Sequence, residues 1–505
     1  MKLLPPGARD ARVIWLLAAG VALSYLAFSP PGIIGADGIS MLAVAESIVR
    51  DHAFTVPAAI GKPGLHGLFY SDHYPLLSCL AVPLVAAGDV AARLAGLPAH
   101  YVAGALAPLL NALLTAATVG LVALLALDLG ASLEAALVAA LAYAFGTIAA
   151  TYARTFFAEP LLACLVAAAL HLGFRGSGRA VAAAAVLCGL AVLAKPTGAV
   201  LVLVLAGYLW SRRAGAAAVA APLAGAAAGA TVYALYNVVR FGTPFSTGFV
   251  HLGQAGGLAG VTGFALPGSP LRLFGLLASP GRGLLWYAPV AVLGLVPLAA
   301  PRRAPKKREA WALGAFFLAF LLVHALWRYW DGGWSWGPRF LLPAMPGLLA
   351  LAALAQRRWL VGLAALGLAV NAPTLVAFYE RTFAEAAVAR VPEADQVWTP
   401  GDAPVVNMWP AAVREARDAA ASDVRALVRR AGAPGGTVAS GEWLRTVAVW
   451  WWMLPAARLP RWPGIALSAA MVGAGLWLVV LCLRAARRGS PRPALVPPLA
   501  REGTA

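Results

Sequence analysis

Side chains that can move protons or hold anions recur at short spacings in separate segments of an otherwise apolar chain. Asp37, Glu46 and Asp51 form one group, and Lys62, His66, Tyr70, Asp72 and His73 follow within a few residues. Arg154 and Glu159, then Lys195, Asn237 and Arg240, Arg282, and the run WRYWDGGWSWGPR at 327–339 complete the set. Carboxylates and imidazoles can exchange protons with a reacting hydroxyl, while guanidinium and ammonium groups hold phosphate-like anions. Neither His66 nor His73 has a partner at zinc-ligand spacing. Cys79, Cys164, Cys188 and Cys482 lie in apolar runs without a CxxC, which indicates packing residues and no disulfide framework.

These groups need a scaffold, and composition says which kind. Of 505 residues, 61% are hydrophobic and only 12% charged, against about 25% charged in soluble domains. A soluble fold could not bury so much apolar surface, so the expected class is an all-α polytopic membrane protein. Apolar stretches fall at 13–29, 75–97, 101–127, 133–152, 159–174, 180–194, 198–211, 215–237, 283–300, 309–327, 338–355, 359–377 and 463–483; a span needs about 17–25 residues. Basic loops lie between them, at Lys2/Arg9/Arg12, Arg175/Arg179, Arg212/Arg213, 302–308, Arg357/Arg358 and 484–492. The positive-inside rule makes all of these cytoplasmic. The net charge of +18 is therefore mostly an orientation signal, and no basic patch for nucleic acid is indicated.

Two cytoplasmic loops are separated by an even number of crossings, so one of the five stretches before Arg175 does not cross. The best candidate is 75–97, which carries Pro75, Pro83, Gly88, Asp89 and Arg93 and reads as juxtamembrane or re-entrant helices. Stretches 180–194 and 198–211 then form a hairpin around Lys195-Pro196-Thr197. The expectation is about twelve spans with both termini cytoplasmic and an uncleaved first span. Domain organisation follows: 1–377 as the transmembrane domain with a first external loop at 30–100, 378–462 as an external module with a helix over Val413–Arg430, and 463–505 as the last span and a basic tail. Six loops then deliver the polar residues named above to one face, where converging ionisable groups mark a functional site.

The set resembles a known family, the GT-C glycosyltransferases, which move a sugar from a polyprenyl-phosphate carrier to an acceptor and include protein O-mannosyltransferases and lipid A aminoarabinose transferases. The resemblance rests on Gly35-Ala36-Asp37 with the helix after it, Tyr70-Ser71-Asp72-His73-Tyr74-Pro75, RTFFAE at 154–159 and Ala194-Lys195-Pro196-Thr197. It continues in YNVVRFGTPFSTGF at 236–249, SPGRGLLWYAPV at 279–290 and GGWSWGPRFLLP at 332–343. It covers about 30–350, and it does not extend to 378–505.

The resemblance implies Asp37 as catalytic base and Glu159 as the acidic residue between spans three and four. The family often has a second acid beside that Asp, whereas Gly38 follows here; a divalent cation at the acidic site stays an open alternative. Transfer from a polyprenyl phosphate needs a base for the acceptor proton and cations for the departing phosphate, and one displacement inverts the sugar. Lys195, Arg240, Arg282 and Arg339 are the phosphate candidates, with Arg282 in a Pro-Gly-Arg-Gly turn whose backbone N–H groups could meet an anion. Lys62, Tyr70, Asp72 and His73 are candidates for orienting carrier or acceptor, and Trp334 and Trp336 for stacking a sugar. Expected partners are the lipid-linked donor, membrane lipids and an envelope glycan, lipid or protein acceptor, at the cytoplasmic (inner) membrane with the site on its external face. The rival readings are a secondary transporter, a polysaccharide polymerase or ligase, and a non-catalytic scaffold. Span centres nearly free of charge, with Asn111 and Asn371 as their most polar members, argue against a transporter.

Overall fold

A computed structural model describes residues 6–248, 263–299, 306–431 and 448–489. Long Ala/Leu/Val runs, rich in strong helix formers, make the helices, and punctuation residues end them. The first half of the chain forms α1 (Pro6–Ala27), α2 (Ala36–Arg50), α3 (Pro75–Ala95), α4 (Ala99–Leu106), α5 (Pro108–Asp128), α6 (Leu133–Gly146) and α7 (Ala149–Tyr152). It continues with α8 (Ala158–Arg175), α9 (Gly178–Ala194), α10 (Ala199–Ser211) and α11 (Ala216–Phe241). Ser132 and Ser177 cap α6 and α9 with their side chains, and left-handed Gly96, Gly176 and Gly242 close α3, α8 and α11. Between α2 and α3 a small antiparallel pair, β1 (Lys62–Pro63) and β2 (Phe69–Tyr70), sets Lys62 opposite Tyr70.

Among the described residues, eight helices are long and apolar enough to cross a membrane, and shorter apolar helices, at Leu133–Gly146, Gly178–Ala194, Pro196–Ser211 and Arg339–Ala352 among others, accompany them. The protein is an all-α polytopic membrane protein. Small residues set its tightest contacts: a Cβ on Gly225 of α11 would lie 1.9 Å from the Ala185 carbonyl of α9, so only glycine allows this approach.

The helix ends sort into two sides. Arg9 reaches the Ala485 carbonyl, Arg487 and Arg357 both pair with Glu134, and Arg212 bonds Phe174 O and Glu309. The basic ends therefore gather together, while residues 37, 73, 159, 195 and 339 meet at the opposite ends. Helix α3 begins directly after His73 on that second side. It lies alongside α2, its Asp89 making a bidentate pair with Arg50 at the far end of α2 (3.0 and 2.7 Å), and His100 of α4 bonds Glu46 of α2. By length and hydropathy α3 is one of the candidate spans.

Several expected spans are built differently. Stretch 283–300 is a short helix (Leu284–Tyr287), a 3-10 segment (Pro289–Leu295) and a final turn (Val296–Ala299), because Pro289 removes a donor at its centre. Stretch 338–355 opens as a 3-10 helix, Arg339–Ala344, with Pro343 inside it. Helix α11 runs on to Phe241, so Asn237 and Arg240 sit in its last turns and do not follow it. The helix expected over 413–430 is two, Pro404–Ala420 and Val424–Ala431. The hairpin at Lys195 is present, broken by Pro196. Lys2, residues 302–305 of the basic loop, Phe249 and the tail from 490 lie outside the described residues.

Candidate active site

Gly35 is the N-cap of α2, which places Asp37 in its first turn, where the helix dipole favours a carboxylate. The Asp37 side chain is 37% exposed. Glu159 likewise stands in the first turn of α8, but its side chain is 4% exposed. Lys195 is the residue at which α9 stops; its backbone turns extended before Pro196, and its Nζ donates to Glu159 Oε1 at 2.7 Å. Arg339 follows a loop in which Gly332, Gly333 and Gly337 all have positive φ, a path that L side chains rarely adopt. That path delivers the guanidinium between the two acids. Its Nη1 donates to Asp37 Oδ2 at 3.0 Å, and its Nε lies 3.7 Å from Glu159 Oε1 with no hydrogen-bond partner of its own.

His73 Nε2 lies 3.8 Å from Asp37 Oδ1 and 3.5 Å from Asp72 Oδ1, and Lys62 Nζ lies 3.8 Å from Asp72 Oδ2. This second chain of charges runs from the β-hairpin to Asp37. Ser71 fixes it on α2, bonding Ser40 Oγ at 2.8 Å and accepting the His73 N–H. Partial burial pushes the Asp37 carboxyl up, but Arg339, His73 and Lys195 outweigh it and hold the pKa below the ordinary 3.8. Asp37 is thus an ionised, half-exposed carboxylate beside two cations.

The structure brings together Asp37, Glu159, Lys195, Arg339, His73, Asp72 and Lys62. Arg240, Arg282 and Tyr70 have other partners. Arg240 is fully buried: its Nη1 donates to the Ser71 carbonyl, its Nη2 to Asn237 Oδ1 at 2.7 Å, and its Nε to Tyr236 O, while the guanidinium lies over the Tyr236 ring. Arg282 is 1% exposed and donates to the carbonyls of Asp331, Gly281 and Gly333. Each arginine is engaged with backbone, one holding the segment before Asp72-His73, the other the glycine loop before Arg339. Tyr70 is buried edge-on against Phe241. Trp334 is exposed and stacked on Phe383, whereas Trp336 is fully buried and donates to Asn371 Oδ1 at 2.8 Å.

Asn111 and Asn371, the polar residues of the span interiors, are both loop anchors. Asn111 donates to the carbonyls of Thr155 and Phe157 beside Glu159, and Asn371 to those of Tyr287 and Gly367. Sequence reasoning missed Phe157 and Phe340. Arg339 lies 4.4 Å above the first ring, and Lys195 lies 4.3 Å from the centre of the second; aromatics adjoining Glu159 and Arg339 in sequence were the available signal. It also missed the work of Arg154, buried in the connector before α8. Arg154 donates to the carbonyls of Phe28, Thr374 and Ala448, and burial lowers its pKa to about 10.

The donor set does not fit a divalent cation. The Arg339 guanidinium stands between Asp37 and Glu159, and among the described residues no three His, Cys, Asp or Glu gather as ligands.

No protein-family model and no curated protein matches the chain. Among solved structures it is similar to ArnT from Cupriavidus metallidurans bound to undecaprenyl phosphate, at 16% identity and TM-score 0.49, over 95% of this chain and 78% of that one. It is similar also to the Archaeoglobus fulgidus oligosaccharyltransferase (12%, TM-score 0.45, 87% of this chain and 56% of that one). A third is the arabinosyltransferase EmbB from Mycobacterium smegmatis (15%, TM-score 0.43, 96% and 42%).

Proposed function

We propose that the protein is a membrane glycosyltransferase that moves a sugar from a polyprenyl-phosphate donor to an acceptor hydroxyl with inversion, using Asp37 as general base. The observation that carries this reading is the Asp37–Arg339–Glu159–Lys195 chain, which joins a half-exposed carboxylate to two cations in one pocket. In the reaction the acceptor oxygen attacks the anomeric carbon as its proton passes to Asp37. The bond from that carbon to the phosphate oxygen breaks, and the electron pair leaves with the phosphate. Lys195 and Arg339 neutralise that leaving group. Arg339 links the two ends of the reaction: a guanidinium drawn toward the phosphate holds Asp37 less tightly, so the carboxylate gains basicity when the donor is bound.

Glu159 keeps Lys195 and Arg339 in place without facing solvent. Lys62, Asp72 and His73 orient the acceptor side, and Trp334 offers an aromatic face to a sugar ring. Arg240, Arg282 and Tyr70 act by positioning these loops. The protein sits in the inner membrane with both termini cytoplasmic and this pocket on the external face; residues 378–462 help select the acceptor. Asp37→Asn tests the reading. The amide still accepts the Arg339 N–H, so carrier binding stays within a few fold while transfer falls by about 10²–10⁴. Undiminished turnover of the folded, membrane-inserted variant would remove Asp37 from the chemistry.

A further inference from the structure

The helix Pro404–Ala420 has two unlike faces. Pro404, Met408, Ala411, Glu415 and Ala419 are buried, and Glu415 receives the Phe378 N–H there. On the opposite face Val406, Trp409 and Val413 are 49%, 53% and 58% exposed. Steps of three and four residues put them on one stripe. The stripe is apolar only over the first part of the helix; Arg414 and Arg417 follow, and Arg414 pairs with Glu385 at 2.5 Å.

The position of this stripe identifies its partner. Trp409 Nε1 donates to the Ala369 carbonyl at 3.0 Å, near the end of the candidate span Arg357–Leu375. That span is itself outward-facing, with Leu366, Leu368 and, just beyond it, Val376 exposed. The stripe therefore prolongs the apolar flank of a membrane span without a break, and it does so at the end of the span that lies on the side of Asp37. An indole whose N–H is already bonded and whose ring faces outward suits the boundary between headgroups and acyl chains. A protein seated on the stripe would have to share the flank of the span with lipid.

We infer that Pro404–Ala420 is an interfacial helix, its first turns set into the leaflet on the Asp37 side and its arginine-bearing end leaving it. Helices of this kind bury their apolar face about 5–10 Å into the headgroup boundary. Through Glu415 and Phe378 the same helix holds the segment that leads to Tyr379 and Glu380, so the membrane surface braces the module.

The test uses the full chain in phosphatidylcholine nanodiscs, with Cys79, Cys164, Cys188 and Cys482 replaced by serine and single cysteines introduced as Val406→Cys, Val413→Cys or, in the exposed acidic turn, Ala394→Cys. A nitroxide on each reports collisions with oxygen, which concentrates in lipid, and with a nickel chelate, which stays in water. The labels at 406 and 413 should collide several-fold more with oxygen relative to the chelate than the label at 394. Chelate access at 413 equal to that at 394 overturns the inference. So does low access to both reagents with dipolar broadening, which would mean that a second copy covers the stripe. A measurement on the native cysteines guards against misfolding: acyl-brominated lipid should quench a fluorescence component present in wild type and lost in Trp409→Phe, and equal quenching of the two proteins overturns the inference as well.

Discussion

Replacing Lys195 by methionine separates holding the pocket together from binding the carrier. The ammonium is 2.7 Å from Glu159 Oε1, with side-chain exposures of 15% and 4%, and Arg339 Nε is 3.7 Å from the same oxygen. At an effective dielectric constant of about 20, those separations correspond to attractions of roughly 6 and 4.5 kcal/mol before desolvation is subtracted. Arg339 thus retains a large share of the compensation when Lys195 is lost. Breaking a buried pair costs about 3–5 kcal/mol, and Lys195→Met falls at the lower end, about 3 kcal/mol. The double variant Lys195→Met/Glu159→Leu removes both charges and fills the volume, so its stability returns to within about 1 kcal/mol of wild type. Its function does not return: losing a charged donor worth about 1.5–3 kcal/mol weakens polyprenyl-phosphate binding by about 10- to 100-fold. Unfolding in mixed micelles measures the first quantity, and titration with the lipid phosphate measures the second. A double variant as unstable as the single one would refute the coupling of the pair. Wild-type carrier affinity in the double variant would refute Lys195 as a phosphate ligand.

Three further outcomes follow from the same geometry. Because Arg339 holds Asp37 below the ordinary 3.8 in the donor-free protein, the acid limb that this carboxylate sets in kcat/KM lies below about pH 4, and that in kcat lies higher. The same ionised carboxylate contributes stability above its unfolded pKa, which is lost as pH falls through the lower folded one; in Arg339→Gln the limb moves to higher pH, read from a rate profile. Burial pushes Glu380 up to about 7. Its protonated folded form therefore adds stability that is fully present below the unfolded pKa of 4.5 and declines as pH rises toward 7, so Glu380→Gln flattens the pH dependence of unfolding between those values. Trp336→Phe removes the N–H given to Asn371 and leaves a buried acceptor unmet, at a cost of about 1–3 kcal/mol in the same unfolding assay.

Composition and charge were enough to read the class of fold, because a membrane leaves few ways to arrange an apolar chain with basic loops. What sequence did not reveal was the partner of each cation. Arg240, Arg282 and Arg339 look alike in sequence, each beside glycine or proline or an aromatic. Only three dimensions show that the first two give their donors to carbonyls while the third stands between two carboxylates. The broken span at Pro289 and the split module helices escaped for a related reason: local breakers were visible, but their effect depends on neighbours distant in sequence.

Arg154 also bears on how the protein is made. The carbonyls it grips belong to Phe28, Thr374 and Ala448, which stand 126, 220 and 294 residues away along the chain. Such distant pairings close slowly, and this one cannot close until the last of the three has left the ribosome. Until then the guanidinium, next to the helix that bears Glu159, lacks one of its three acceptors. The clasp closes only once residue 448 is present, so a chain cut short before it would carry every residue of the Asp37 cluster and lack one of the three carbonyls that hold the connector before Glu159.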